Sequence, residues 1–331
     1  MAGPDPAVAA VRLAVRRALA DVLDGRTAGP VLVACSGGAD SLALLVATVF
    51  ELRGSGVRTV GVTVDHGLQP GSAEHATQVV AQMAALGVDE TLSARVHVEG
   101  GGQGPEAAAR EARYAVLEEV AQHFSASVVL LGHTLDDQAE TVLLGLARGS
   151  GGRSIAGMRT AFDVFRRPLL EVTRAETVAA CAAEGIQVWD DPHNTDPAYT
   201  RSRVRHAVMP VLERELGPGV ARALARTATQ LQADVAELDR QAAAAHARLD
   251  GADGLAVSEL EQLSDAIRLR VLRLAALGAG ALPADLTHGH LRSVDALVGD
   301  WRGQVGVDLP GHVRAVRRDG RLAFVRAPGT V

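Results

Sequence analysis

With 331 residues, 47% of them apolar and 22% charged, the chain has an ordinary globular composition and a length that predicts about two domains. Its formal charge of -6 excludes wholesale coating of nucleic acid and leaves local basic patches to be read separately. No lysine occurs, so all 33 basic residues are arginine, and both a Schiff-base lysine and a Walker-type GxxxxGK[ST] lysine are excluded.

The N-terminal PAVAAVRLAVRRALADVLDG has apolar residues at helical spacing, interrupted by Arg12, Arg16, Arg17 and Asp21, unlike the apolar core of a secretion signal. The longest apolar run, LALLVATVF, is too short to span a bilayer, so a cytoplasmic address without a membrane partner is expected. Cys35 and Cys181 form no CxxC and no Cys/His pair at zinc spacing, and both read as buried inert thiols.

Short β-branched runs then recur at VLVA (31–34), RTVGVTVD (58–65), ARVHVE (94–99) and SVVLLGH (127–133), with helix-like segments between them. This alternation predicts βαβ crossovers and an α/β class with a parallel sheet covered on both faces. Ligands of such sheets bind beyond the carboxyl ends of the strands. Three polar turns follow strands here: SGGADS, DHGLQPGS and GHTLDDQAET.

In SGGADS, Ser36, Gly37, Gly38, Ala39, Asp40 and Ser41 lie between a strand and a helix start, where amides and the helix dipole favour an anion. The two glycines allow close backbone approach and the serines add hydroxyls, which makes a phosphate cradle without lysine. A tight turn capped by serine is the bland alternative. In GHTLDDQAET, Thr134 is positioned to cap a helix with Asp136 and Asp137 in its first turn. Asp137 and Glu140 then share a face at i, i+3, close enough to bind one divalent cation or one cationic amine, against the plainer reading of a solvated acidic helix start. His133 sits at the strand–helix junction, and Asp65, His66 and Gly67 end the second strand.

Arg148 and Gly149 in RGSGG read equally as a phosphate contact and as ordinary helix capping. AFDVFRRPLL reads as another extended piece, and TRAETVAACAAEG as a helix closed by Gly185. WDDPHNTDPAYTRSRVRH carries Asn194, Asp196, Tyr199, Arg201, Arg203 and Arg205; six arginines against two glutamates between Tyr199 and Arg226 make this stretch basic. It could track a nucleic-acid backbone, or its arginines could order the loop by internal ion pairs.

Gly217-Pro218-Gly219 marks the expected domain boundary, giving domains at 1–216 and 217–331. A helix-like run follows with Val220, Leu224, Leu231, Val235 and Leu238 at near-helical spacing, then SELEQLSDAIRLRVLRLAAL and HLRSVDALVG, so a mainly helical second domain is predicted. Asp319-Gly320 within VRAVRRDGRLAFVR predicts a hairpin that carries five arginines between Arg314 and Arg326. With aromatics at 3%, shape and phosphate contacts are expected to dominate any nucleic-acid recognition.

SGGADS resembles the SGGxDS signature of the PP-loop, or N-type ATP pyrophosphatase, superfamily. Taken with VDHGLQPGS, ARxxRY (Ala109 to Tyr114), LGHTLDDQAETVLLGLARGSG, RRPLL and WDDPHNTDPAYTRSRVR, the order of motifs over residues ~30 to ~210 resembles the tRNA(Ile)-lysidine synthetase family. The resemblance implies a PP-loop ATP-binding catalytic domain followed by a tRNA-binding helical domain. Implied too are ATP and Mg2+ as cofactors, and an isoleucine tRNA with a CAU anticodon and free L-lysine as partners; a homodimer and a monomer both stay open. It implies that Ser36 to Ser41 and His66 bind nucleotide, and that Asp40, Asp136 and Asp137 serve magnesium. Asp40, His133, Asp137 and Glu140 take the catalytic roles, and Arg110, Arg113, Arg148, Arg201, Arg203 and Arg205 meet tRNA or lysine. Gln69 stands where the family has a basic residue, and RSIAGM departs from the family's glycine-leucine pattern. Two other readings stay open. A PP-loop tRNA thiolase would need paired cysteines, and a nucleotide-binding regulator would have no use for carboxylates beside the cradle.

Overall fold

The computed structural model describes residues 3–65, 71–96, 105–149, 151–189, 196–251 and 253–326, with 105–109 described for their backbone alone. His66, Gln69 and Asn194 lie outside the described residues. The chain divides into two compact units: 1–149 with 157–229, and 150–156 with 230–331. No helix of the described residues is long and apolar enough to cross a membrane.

The first unit is built on a six-stranded sheet in the order β3-β2-β1-β4-β6-β5. β1 (Val31–Ala34), β2 (Thr59–Asp65), β3 (Glu90–Arg95) and β4 (Val128–Leu131) are mutually parallel, and β6 (Phe165–Arg166) extends the parallel set. The residue Val33 pairs with Gly61 on one side and Leu130 on the other, so β1 is central and buried on both faces. That explains its unbroken apolar run. Among the intervening helices are α1 (Pro6–Ala18), α2 (Ala20–Leu23), α3 (Ala39–Glu51), α4 (Ser72–Ala85), α5 (Pro105–Phe124) and α6 (Leu135–Ala147). Val15, Leu19, Leu42, Leu44, Leu45 and Met83 fill one face of the sheet at essentially zero exposure, and Leu32, Val60, Leu117 and Val129 fill the other.

Three expectations from the sequence need correction. The strand expected at 94–99 lies at Glu90–Arg95, because its register is set by β2, from Val60↔Glu90 to Asp65↔Arg95. It is a partly exposed edge strand and so carries no continuous apolar run to mark it. The extended AFDVFRRPLL is a two-residue hairpin, β5 (Ala161–Phe162) and β6, turning at Asp163 with φ 47°, followed by a 3-10 turn at Pro168–Glu171. Lastly SELEQLSDAIRLRVLRLAAL is interrupted between α12 (Val257–Leu260) and α13 (Asp265–Gly278), where Ser264 leaves helical geometry at ψ 149° and starts the second piece, its carbonyl accepting from the Ile267 and Arg268 amides.

Past α7 (Gly152–Ile155), α8 (Arg174–Ala183) opens with a reciprocal Thr173/Glu176 cap and closes at Gly185, φ 68°. The helical segment α9 (Thr200–Arg203) passes through a π-helical turn at Val204–Val208 into α10 (Met209–Leu216). After Gly217 and Gly219, both at positive φ, α11 runs from Val220 to Leu249. The division between the compact units falls inside α11, at 229/230.

The second unit packs α12, α13 and α14 (His288–Gly299) against a four-stranded antiparallel sheet ordered β7-β10-β9-β8. Its strands are β7 (Leu255–Ala256), β8 (Val307–Leu309), β9 (Val313–Arg318) and β10 (Arg321–Arg326). The expected hairpin forms, with Arg318 opposite Arg321 across Asp319 and Gly320, both at positive φ as a two-residue primed turn requires. Segment 150–156 belongs to this unit through Arg153 on Asp239 (2.6 Å) and Gln232 on the Ala156 carbonyl (2.7 Å).

Candidate active site

A cavity of about 970 Å3 opens at the carboxyl ends of β1, β2 and β4 in the first unit. It is at the upper end of the range for small-molecule sites, so it has room for more than one reactant. Ser36, Gly38, Ala39, Asp40 and Ser41 line it, as expected of the SGGADS turn. Gly37 adopts φ 85°, and a Cβ there would meet Val79 Cγ2 at 2.9 Å. The Ser41 hydroxyl donates to the Gly38 carbonyl (2.9 Å) and accepts from the Ser36 amide (3.1 Å), tying the turn to the first turn of α3. The remaining first-turn amides of α3 have no intrahelical partner, so this end of the helix suits an anion.

Gly132, at the end of β4, is what lets α3 come this close. A Cβ on it would lie 3.1 Å from the Asp40 carbonyl carbon and from Ser41 N and Cα, all backbone atoms.

Thr134 enters α6 as expected, and the Asp137 carboxylate accepts both its amide (2.8 Å) and its hydroxyl (3.0 Å) through Oδ2. The other oxygen, Oδ1, accepts from Arg174 Nη2 (2.8 Å) and Arg205 Nη2 (3.0 Å). Glu140, one turn on and 1% exposed, meets Arg205 Nε at 2.7 Å, Arg201 Nε at 3.4 Å and Arg174 Nη1 at 3.5 Å. Asp137 and Glu140 therefore do share a face, and three guanidiniums converge on it. Arg201 and Arg205 lie four residues apart across α9 and the π-helical turn, which aims both at α6.

Asp40 stands where the cradle meets this cluster. Thr177 hydrogen-bonds its Oδ1, and Arg174 Nε lies 3.6 Å from Oδ2. Burial pushes the Asp40 carboxyl up to about 6, against the pull of Thr177 and Arg174. Asp137 is held below the ordinary carboxylate range: burial raises it, but Arg174, the Thr134 amide and Arg205 outweigh that. Burial drives the His133 imidazole down to about 3, so it is neutral, and its buried Nδ1 has no hydrogen-bond partner among the described residues. A ligand polar group is what that nitrogen lacks.

The remaining candidates divide by position. Arg113, Arg201 and Arg205 line the cavity. Arg110 lies over the Tyr114 ring at 5.6 Å, beside Arg167, whose guanidinium donates to the Tyr114 hydroxyl at 3.0 Å. Arg148 is exposed at the C-terminus of α6, its amide bonded to the Leu144 carbonyl, and does not line the cavity. Arg203 donates to the carbonyls of Pro197 and Ala198 and to the Thr200 hydroxyl, so it orders its own turn. Asp136 accepts from the Arg174 amide at 2.7 Å and so caps α8. Among the described residues no three His, Cys, Asp or Glu side chains converge as a metal-ligand set.

Sequence reasoning missed Arg174, Thr177, Gly132, His75 and Trp189. One signal for Arg174 existed: a cation in the first turn of a helix opposes the dipole, which only a partner elsewhere would justify. The others carry no such mark, since each depends on what the fold brings opposite it.

Comparison with known proteins agrees with this architecture. A family model for the PP-loop domain matches residues 11–212, and one for the TilS substrate binding domain matches residues 255–323. The chain is 54% identical to a tRNA(Ile)-lysidine synthase of Thermobifida fusca, over 97% of this chain and 98% of that one. It is 50% identical to that of Streptomyces coelicolor, over 97% and 99%. Among solved structures, the U34-tRNA thiolase NcsA from Methanococcus maripaludis superposes with a TM-score of 0.55 at 19% identity, covering 67% of this chain and 78% of that one; this likeness concerns the fold alone.

Proposed function

The chain belongs to the tRNA(Ile)-lysidine synthase family of PP-loop, ATP-dependent ligases, and from that premise we propose how its cavity adenylates a tRNA base and then joins an amine to it. The observation that carries the reading is the meeting of an anion-accepting helix start with Asp40, Asp137 and three arginines in one cavity.

In this proposal the SGGADS turn holds the phosphates of ATP, and the oxygen of the wobble cytidine attacks the α-phosphorus. Pyrophosphate departs toward the amides of α3, with Arg174 available to neutralise it. The base oxygen, now carrying AMP, is a good leaving group. The ε-amine of free L-lysine attacks the activated carbon and AMP leaves. That amine must be neutral to react, so a carboxylate has to accept its proton, and Asp137 lines the cavity where Glu140 does not. With both oxygens facing guanidiniums, Glu140 serves to hold Arg201 and Arg205 in place. His133 stays neutral and offers to substrate an Nδ1 that has no partner among the described residues.

The residues fit a magnesium ion at Asp40: a buried carboxyl pushed up to about 6 is one that a cation would return to its ionised form. Magnesium commonly takes one or two carboxylates and completes its shell with phosphate oxygens and water. When bound, it would neutralise charge on the phosphates. Asp40 would hold it, joined by Asp137 only if a guanidinium gave way; Asp136 is already committed to the α8 amide.

With Arg201 and Arg205 turned onto the acidic pair and Arg203 bracing its own turn, Arg222, Arg226 and the arginines of the β9–β10 hairpin are the ones left to supply phosphate contacts for tRNA, with 217–331 as the tRNA-binding domain. The cytoplasm, where that tRNA resides, is the proposed location. A thiolase reading is not favoured: Cys35 and Cys181 are buried, and burial pushes Cys181 up to about 11, so neither is a ready thiolate.

The test incubates protein, ATP and labelled lysine with isoleucine tRNAs differing only at the wobble base. Label should enter the cytidine form alone, with one pyrophosphate released per label. Pyrophosphate release without lysine incorporation would refute the amine step, and no release would refute the whole reading. Asp137→Asn and Glu140→Ala separate the two carboxylates: the first is expected to keep adenylation and lose lysine transfer, the second to weaken both.

A further inference from the structure

Carbonyl oxygens of the cradle are fastened by one continuous segment and one neighbouring helix, whose residues Trp189 and His75 line the same cavity. The His75 ring on α4 donates from Nε2 to the Ser36 carbonyl at 3.1 Å, and the Trp189 amide donates to the Gly37 carbonyl at 3.0 Å. The two rings stack, with centroids 3.6 Å apart and planes 30° from parallel. The chain leading to Trp189 is itself tethered, since Gln82 of α4 donates to the Gln187 carbonyl at 2.5 Å. Upstream on α8, the same stretch reaches Ala39 through the Cys181 thiol (3.4 Å) and Asp40 through Thr177.

These contacts have a stereochemical consequence. In a planar trans peptide the N–H points opposite to the preceding C=O. Fixing the carbonyls of Ser36 and Gly37 therefore fixes the amides of Gly37 and Gly38, the groups on which an anion-binding turn depends. A turn containing two glycines has wide backbone freedom, so its shape must come from such outside constraints. Gly37 has no room for a side chain that could supply them internally, because a Cβ would lie 2.9 Å from Val79 and 3.2 Å from His75.

We infer that His75 and Trp189 form a clasp that holds the Ser36–Gly38 backbone in its phosphate-accepting conformation, making both of them positioning residues for ATP. The inference rests on the functional reading above. The clasp is inferred to act through the Ser36 and Gly37 carbonyls, and because both rings also line the cavity, its effect on ATP has to be separated from effects on lysine and tRNA.

Initial rates of tRNA-dependent pyrophosphate release, measured with the full chain while ATP, lysine and tRNA are varied in turn, test it. Losing a hydrogen bond and its stack in His75→Ala should raise KM for ATP about tenfold. The other two KM values and kcat at saturating ATP should stay within about twofold, a difference below half a kcal/mol. His75→Gln, which keeps an N–H donor at the same reach, should recover most of the loss. Trp189→Phe should be near wild type, and Trp189→Ala, which keeps its amide on Gly37 and loses only the stack, should raise KM for ATP by less than His75→Ala does. An unchanged KM for ATP in His75→Ala, equal increases for all three substrates, or no recovery in His75→Gln would overturn the inference.

A second measurement does not need those variants to fold. The chain has two tryptophans, so Trp301→Phe leaves Trp189 as the sole indole emitter. Saturating ATP should change its emission, and no change on demonstrated ATP binding would also overturn the clasp. Wild-type protein that releases no pyrophosphate would instead discredit the functional reading.

Discussion

Arg205 grips Glu140 with two prongs, Nε to Oε1 at 2.7 Å and Nη2 to Oε2 at 3.1 Å, while the same Nη2 reaches Asp137 at 3.0 Å. The pair is largely withdrawn from solvent, with Glu140 at 1% side-chain exposure and Arg205 at 20%. Such a pair is expensive to break from one side and cheap to delete from both. Glu140→Ala is expected to cost about 3 kcal/mol in urea unfolding, because it strands charge on Arg205 and Arg201. Adding Arg205→Ala should then cost much less than it does alone. Losses that add to within about 0.5 kcal/mol would show that the two side chains are not coupled.

Asp40→Asn removes the carboxylate between the cradle and the arginines while keeping a partner for Thr177. Folding should survive, with unfolding midpoints close to wild type. Pyrophosphate release should fall at least about 100-fold, the scale seen when a charge-stabilising group is lost from a catalytic site. A fall below about tenfold would remove Asp40 from the chemistry.

Gly132→Ala tests the close approach of β4 to α3. The added methyl meets three successive backbone atoms of Asp40 and Ser41 at 3.1 Å, and backbone moves less readily than a side chain. A destabilisation of about 1–3 kcal/mol is expected, with KM for ATP rising in step as the cradle shifts. Wild-type stability and KM would mean that the approach is slack.

His133 predicts a pH dependence of stability. Its folded-state imidazole is held at about 3 against 6.5 in an open chain, mainly by burial. Between those values the unfolded chain binds a proton that the folded protein refuses, so stability is lost as pH falls from 6.5 toward 3. His133→Asn should flatten that acid slope in urea-unfolding measurements at successive pH values. An unchanged slope would assign it to other groups.

Much of this site can be read in the chain because its parts are local. Strand–turn–helix order places Ser36 to Ser41 at a sheet end, and the spacing of Asp137 and Glu140 puts them on one helix face. Arg174 and Thr177 were hidden for a different reason. Nothing within α8 distinguishes them from surface residues, and their meaning comes from Asp40, 134 and 137 positions earlier. Likewise Asp136 and Arg203 look like ligands in a one-dimensional reading, but in space one caps a helix and the other braces a turn. The displaced edge strand shows the same limit, since its register follows from pairing with β2 and not from its own residues.

Among the described residues, the arginines along the cavity wall are Arg113, Arg174, Arg201 and Arg205. Guanidiniums keep their proton through the whole working range and are poor nucleophiles, and the chain has no aliphatic side-chain amine anywhere. On the proposed chemistry, an electrophilic base generated inside this cavity meets guanidiniums and carboxylates, and no rival side-chain amine from the protein. Chemoselectivity for an incoming amino acid, and immunity to self-alkylation, would then both follow from which basic residue builds the wall.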